Sequence, residues 1–379
     1  MPSDSDTSPV AADSATQRLR HIHRAASELR RGVPLIIRHS PTLCILAAET
    51  ASPRAIEELT DLGDGLPFLL LAPVRAAAVV RQPVDPAASV VALSLPHGFL
   101  TQDALRGFAD PTAPAPPAAA VRELRAAPLP DAAPAALALV KIAQLLPALL
   151  VVTARDDIEA TATRTGLVTV DAADILAYPN LEAVGLRRVA AAPVPLADAA
   201  VAEVVAFRTD GSGLEHLAIV VGDALRADAP LVRIHSECFT GDLLGSMRCD
   251  CGEQLRGAIR RMAQEGGGIV LYLAQEGRGI GLVNKLRAYT LQDRGLDTLD
   301  ANRVLGWGAD ERNFLVAARM LNSLGVARVK LLTNNPDKVS ALNACGVQVV
   351  GREAHMIPPN GVNDDYLATK AARFGHMLD

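Results

Sequence analysis

Along the first half of the chain, short apolar runs alternate with stretches of helical periodicity. The runs at 35–37, 69–71 and 149–152 are solidly apolar and read as buried strands, with amphipathic helical patterns at 25–31 and 53–62 beside them. Residues 111–120 (PTAPAPPAAA) carry no periodicity, and their prolines predict a stiff, extended linker or surface loop. From about residue 184 the texture changes: Gly, Asn, Asp and Arg become frequent and charges cluster at turns. Leu255, Ile259 and Met262 mark one face of a helix over 251–265, which Gly266, Gly267 and Gly268 end. A strand over 269–273 leads through the turn Glu276-Gly277-Arg278-Gly279 into a second helix over about 280–293, with Val283 and Leu286 and, on adjoining faces, Lys285 and Tyr289. A strand over 329–332 then runs into Thr333-Asn334-Asn335-Pro336 and a helix. There is no short-period repeat. The alternation predicts an α/β (mixed α+β) protein of two domains, the second built on a mixed sheet with flanking helices.

Composition narrows the function classes. The chain has 379 residues, half of them apolar, yet no apolar run approaches the 18 or so residues of a membrane span. Residues 1–17 are rich in Ser, Asp, Ala and Thr and lack a basic segment leading into an apolar one, which predicts a solvated tail and a cytoplasmic protein. A net charge of −5 argues against a dedicated nucleic-acid binder while leaving room for a basic pocket for one nucleotide. Five cysteines, three of them within fourteen residues, make a poor disulfide framework and suit a thiolate metal site.

The sharpest chemical signal is Cys238, Cys249 and Cys251 in HSECFTGDLLGSMRCDC, a C-x10-C-x-C spacing. Structural zinc takes four protein ligands and catalytic zinc keeps one position open, so three cysteines without an obvious fourth suggest a catalytic site. Two rival readings stand: His235 as a closing fourth ligand, or three ordinary buried thiols. Cys44 and Cys345 sit in apolar settings and read as core residues.

In context these residues resemble a family. RIHSEC (233–238), RCDCG (248–252), QEGRGIGL (275–282), NKLRAY (284–289), LGWGADER (305–312) and LLTNNPDKV (331–339) follow in order, and together they resemble GTP cyclohydrolase II from about residue 184 to the end. The resemblance implies that Cys238, Cys249 and Cys251 bind one Zn²⁺, whose water of lowered pKa attacks C8 of guanine and later expels formate. It implies Asp310 as proton acceptor, Arg312 as nucleophile or stabilising cation at the α-phosphate, and Tyr289 beside the reacting ring. The implied GTP contacts are Arg233, Ile234, His235, Ser236, Glu237, Gln254, Glu276, Gly277, Arg278, Thr298, Thr333 and Lys338. Mg²⁺ is expected with the triphosphate. The products implied are 2,5-diamino-6-ribosylamino-4(3H)-pyrimidinone 5′-phosphate, formate and pyrophosphate, the first step of riboflavin biosynthesis, made by a homodimer. Physically, Gly277 and Gly279 let backbone amides approach phosphate, Arg278 adds a charge-assisted fork, and Lys338 adds a point charge in the first turn of a helix. Glu237 or Glu276 suits the donor edge of guanine. Taken alone, without the resemblance, Asp310 and Arg312 read rather as a solvated turn, and Tyr289 as a core residue. Trp307 and Gly308 depart from the family pattern and are expected to reshape the pocket. The alternatives are a diverged cyclohydrolase of another purine-derived pathway and a non-catalytic GTP-binding protein with structural zinc.

The first half, residues 18–183, resembles a degenerate 3,4-dihydroxy-2-butanone-4-phosphate synthase domain. SELRRG (27–32) resembles its opening, and LLPA (145–148), GLVTV (166–170) and DILAY (174–178) its closing segments. Where that family carries an acidic, Mg²⁺-binding run, this chain reads RHSPTLC (38–44), which offers a hard cation no carboxylate, and PTAPAPPAAA stands where a Thr- and Gly-rich loop is expected. Loss of synthase activity is expected, with residues 184–379 as the catalytic domain.

Overall fold

The apolar runs of the first half become the middle of a sheet. In the computed structural model, which describes residues 9–85, 87–375 and 377, the strands β1 (Leu35–Arg38), β2 (Leu43–Ala47), β3 (Gly63–Leu71), β4 (Val91–Ser94), β5 (Arg125–Ala126), β6 (Ala148–Ala154) and β7 (Thr169–Asp171) form one sheet in the order β5-β4-β3-β6-β2-β1-β7. All its neighbours are antiparallel except β1 and β7. All five residues of β2 are buried, as a strand covered on both faces requires. The Pro53–Asp61 helix starts where Ser52 accepts a hydrogen bond from the Ala55 amide and Pro53 opens the first turn.

The second half builds a second seven-stranded sheet from β8 (Leu186–Pro193), β9 (Ala202–Thr209), β10 (Glu215–Gly222), β11 (Leu231–Ser236), β12 (Gly267–Leu273), β13 (Arg328–Leu332) and β14 (Gln348–Glu353), ordered β14-β13-β11-β12-β10-β9-β8. Its first four members run parallel and the rest antiparallel. The protein is therefore mixed α/β, with two mixed sheets. No helix among the described residues is long and apolar enough to cross a membrane.

The sheets part between Asp171 and Leu186, but the hydrophobic packing does not. Ile280, Ala288, Leu291, Ala301, Leu305 and Trp307 of the second half share one buried cluster with the helices and strands of the first. Two expectations need correcting. A helix, Pro9–Arg30, takes in the second part of the segment read as a solvated tail, because Leu19 and Ile22 further along it are driven into the core; residues 1–8 lie outside the described residues. The proline-rich segment also ends early, since the Ala118–Glu123 helix begins within it once prolines give way to alanines.

Candidate active site

Three parallel strands, β11, β12 and β13, end side by side, and a crevice at the carboxyl ends of parallel strands is where an open α/β sheet presents its loops to a ligand. Glu237 and Cys238 follow β11, Gln275 and Glu276 follow β12, and Thr333 opens the loop after β13. The Cys251–Gln264 helix, with Ala258, Ile259 and Met262 buried, brings Cys251 and Gln254 to the same place.

Cys238, Cys249 and Cys251 present sulfurs that all lie within 4.8 Å of one another, the one such convergence of three or more His, Cys, Asp or Glu ligand atoms among the described residues. Cys238 Sγ and Cys249 Sγ are 3.8 Å apart. Tetrahedral zinc with bonds of about 2.3 Å sets sulfurs roughly 3.8 Å from each other, so the donors fit that ion. Space is reserved around them, because a Cβ on Gly241 would come 2.7 Å from Cys249 Sγ and 3.0 Å from Cys238 Sγ. His235 does not join the group. Its Nε2 lies 3.1 Å from both oxygens of Asp242, which also accepts from the Tyr272 hydroxyl and the Cys238 amide, each at 3.0 Å. Asp242 thereby anchors the first thiol's backbone, and burial holds the His235 ring below its usual pKa. Contact with the other two thiols, and then with Lys285, keeps Cys238 on the thiolate side, whereas Cys249 and Cys251 are pushed up by the same contact.

The remaining groups surround the thiols. Arg233 lies inside β11, and its guanidinium donates to Gln254 Oε1 and, at 3.3 Å, to Leu332 O; burial brings its pKa down to about 10. Lys338 Nζ donates to Ile234 O at 2.8 Å. Glu276 is buried with both oxygens engaged, one by the Phe239 amide at 2.6 Å and the other by Lys285 Nζ at 2.8 Å. Glu237 is half-buried on the cleft wall, and its carboxyl is pushed up by burial and by the neighbouring Glu276. Tyr289 lies 3.4 Å from the Thr240 hydroxyl, and burial keeps it protonated. Arg312 grips Asp310 through Nε at 2.7 Å and a second nitrogen, and also reaches Ser236 Oγ at 3.5 Å. Burial works against the Asp310 charge, but the hydrogen bonds from Arg312 outweigh it and leave that carboxyl below its ordinary range.

Of the site residues expected from sequence, the three cysteines, Arg233, Ile234, His235, Ser236, Glu237, Gln254, Glu276, Gly277, Arg278, Tyr289, Thr298, Arg312 and Lys338 line one cleft. Asp310 stands behind Arg312, and Thr333 is buried in its own loop, where its hydroxyl accepts from the Asn335 amide at 3.1 Å. The cleft also takes Arg248, Lys285 and Tyr366, which sequence reasoning did not assign to it. Lys285 lies one helical turn before Tyr289, so the shared face was the available signal; nothing in the sequence around Tyr366 points to the cleft. Trp307 and Gly308 do not line it. The indole is buried where the two halves meet, and the Gly308 amide donates to Glu311.

A family model described as GTP cyclohydrolase II matches residues 187–354. The GTP cyclohydrolase-2 of Azospirillum brasilense is 45% identical over 384 positions that cover 100% of this chain and 99% of that protein. The GTP cyclohydrolase-2 of Pectobacterium atrosepticum is 51% identical over 196 positions, 51% of this chain and 98% of its own. A two-domain 3,4-dihydroxy-2-butanone 4-phosphate synthase from A. baumannii aligns with 88% of this chain and 99% of its own at 18% identity and a TM-score of 0.33, a likeness too loose to carry an argument.

Proposed function

The chain belongs to the GTP cyclohydrolase II family, and from that premise we propose that it hydrolyses GTP to 2,5-diamino-6-ribosylamino-4(3H)-pyrimidinone 5′-phosphate, formate and pyrophosphate, the entry step of riboflavin formation. Three waters are consumed: two free C8 from both ring nitrogens as formate, and one cleaves the α–β phosphoanhydride. The observation that carries the reading is one cleft with a thiol triad on one wall and the cations Arg233, Arg278, Arg312 and Lys338 around it, an arrangement suited to a metal ion beside a triphosphate.

Cys238, Cys249 and Cys251 would hold zinc, which supplies the Lewis acidity that makes water nucleophilic at neutral pH. A purely structural zinc needs a fourth protein ligand, and none converges on the thiols among the described residues. Glu237 is the better partner for the guanine N1–H and 2-amino group, because Glu276 has both oxygens committed. Arg278 and Lys338 take the outer phosphates, since the Gly277 and Gly279 amides already donate to Glu276 Oε1 and Gln275 O. A guanidinium is a poor nucleophile, so Arg312 stabilises charge at the α-phosphate rather than attacking it. A carboxylate held low is a weak base, so Asp310 acts mainly to orient that guanidinium, and accepts a proton only once the pair opens. The protonated Tyr289 hydroxyl is a donor to the opening ring. No group of three or more carboxylates converges among the described residues, so Mg²⁺ would arrive with the triphosphate. Residues 18–183 form the degenerate synthase-like domain, without synthase activity, and the family resemblance makes the enzyme a homodimer.

The decisive assay is mass spectrometry of the products formed by the purified full chain from GTP, Mg²⁺ and zinc, beside Cys249→Ser. The pyrimidinone phosphate, formate and pyrophosphate, all missing from the control, are expected. A product that keeps its formyl group or triphosphate would point to a diverged enzyme, and binding of GTP without turnover would sink the catalytic reading. Conversion of ribulose 5-phosphate by the full chain would overturn the loss of synthase activity.

A further inference from the structure

The two halves meet behind the cleft, and most of their polar contacts fall on the two segments that bring Tyr289 and Arg312 to it. The Leu282–Gln292 helix gives Lys285 and Tyr289 to the cleft. On its other face Arg287 pairs with Glu49 at 2.7 Å and with Asp110 at 3.2 Å, and the fully buried Asn284 donates to Gln144 O at 2.9 Å. In the 305–313 segment, Glu311 stands between Asp310 and Arg312 and points the opposite way. Its Oε1 accepts from Lys141 Nζ at 2.5 Å and from the Gly308 amide at 2.7 Å, which closes the turn carrying Asp310. The same ammonium lies 5.5 Å from the centre of the Trp307 ring, which is 3% exposed. Just before it, Gly306 (φ +89) backs onto the first half so closely that a Cβ there would come 3.0 Å from the Ala72 Cβ.

These pairs are suited to fixing geometry. The side chains of Arg287 and Glu49 are 18% and 16% exposed, and those of Lys141 and Glu311 26% and 25%. Largely desolvated ion pairs add little net stability over apolar replacements, but they hold one arrangement of charges and disfavour others. They are spent here on segments whose outward neighbours face the cleft.

We propose that the first half acts in cis as a scaffold for the cyclohydrolase site, with Lys141 and Glu49 as positioning residues that set the Asp310–Arg312 turn and the helix of Tyr289. This inference rests on the cyclohydrolase reading for its catalytic consequence, but not for its structural one.

The test alters only the first half: Lys141→Met with Glu49→Gln, and Lys141→Arg as the conservative variant, all in the full chain. The pair should lower kcat for GTP about tenfold while KM and zinc content stay within about twofold, since a small misplacement of reacting groups costs turnover before binding. Trp307 is the single tryptophan, so quenching of its fluorescence by acrylamide should rise with the loosened turn. Lys141→Arg should keep kcat and quenching near those of the unaltered protein. Unchanged kcat or unchanged quenching in the pair would overturn the proposal, as would loss of kcat in step with zinc and melting temperature. If the pair fails to fold, Lys141→Met set against Lys141→Arg reads the same split. If the unaltered protein does not turn over GTP, the cyclohydrolase reading falls, and quenching alone decides whether Lys141 and Glu49 hold the turn.

Discussion

Both halves carry a seven-stranded mixed sheet, yet the candidate cleft belongs to one of them. In the first sheet a single neighbouring pair, β1 and β7, runs parallel, and the last residue of β1, Arg38, makes an exposed ion pair with Glu159. In the second, four adjacent strands run parallel, so the loops after β11, β12 and β13 open side by side and their polar residues converge. Strand direction, more than the number of strands or the size of the core, decides where separate polar residues can meet.

The largest test of that contrast is Arg312→Gln. It removes one of the cations at the cleft, and kcat should fall on the order of 10²- to 10³-fold, as for the loss of one preorganised charge-stabilising donor. A loss below tenfold would return the Asp310–Arg312 pair to the rank of a solvated turn.

Acid should weaken both halves. His23 in the first and His216 in the second are held down to about pKa 4, chiefly by burial, whereas an unfolded histidine titrates near 6.5. The folded state therefore binds fewer protons, so the contribution is intact above pH 6.5 and is lost as pH falls toward 4, by about 3 kcal/mol for each ring. His216 Nδ1 accepts from the Ala274 amide at 3.0 Å, just before Gln275 and Glu276, so its protonation should disturb the cleft as well as the fold. Melting temperatures from pH 7 to 4 should drop, and His216→Gln should flatten part of that slope. An unchanged slope would mean that this ring titrates normally.

Gly241→Ala should push a methyl group into the thiol triad and weaken zinc binding by roughly 10- to 100-fold, read by competition with a chelator. The smallest effect belongs to the first half: Arg38→Ala breaks an exposed pair and should cost less than about 1 kcal/mol, with no change in GTP turnover.

The sequence made most of this legible. Periodicity located β1, β3, β6, β12 and β13, because each is an apolar run bounded by turn residues. Ordered motifs named most of the cleft, since the C-x10-C-x-C spacing and the E-G-R-G turn are local. What stayed hidden depends on contacts distant in sequence. Tyr366 reaches the cleft from the C-terminal Asp364–Phe374 helix, and Lys141 meets Glu311 across 170 residues. The unusual Trp307 was visible, but its meaning was not. Its place beside Asp310 in sequence suggests an altered pocket, whereas its side chain turns to the other half.

The turn after β12 has a consequence for how this protein can change over generations. Gly277 and Arg278 both take left-handed backbone angles, φ 63 and 65, and for an arginine that conformation costs about 1 kcal/mol. Arg278→Gly would therefore relieve the backbone while it removes a cation from the cleft. Selection for sturdiness alone would favour the glycine, so under the proposed role of Arg278 stability and turnover pull this position in opposite directions.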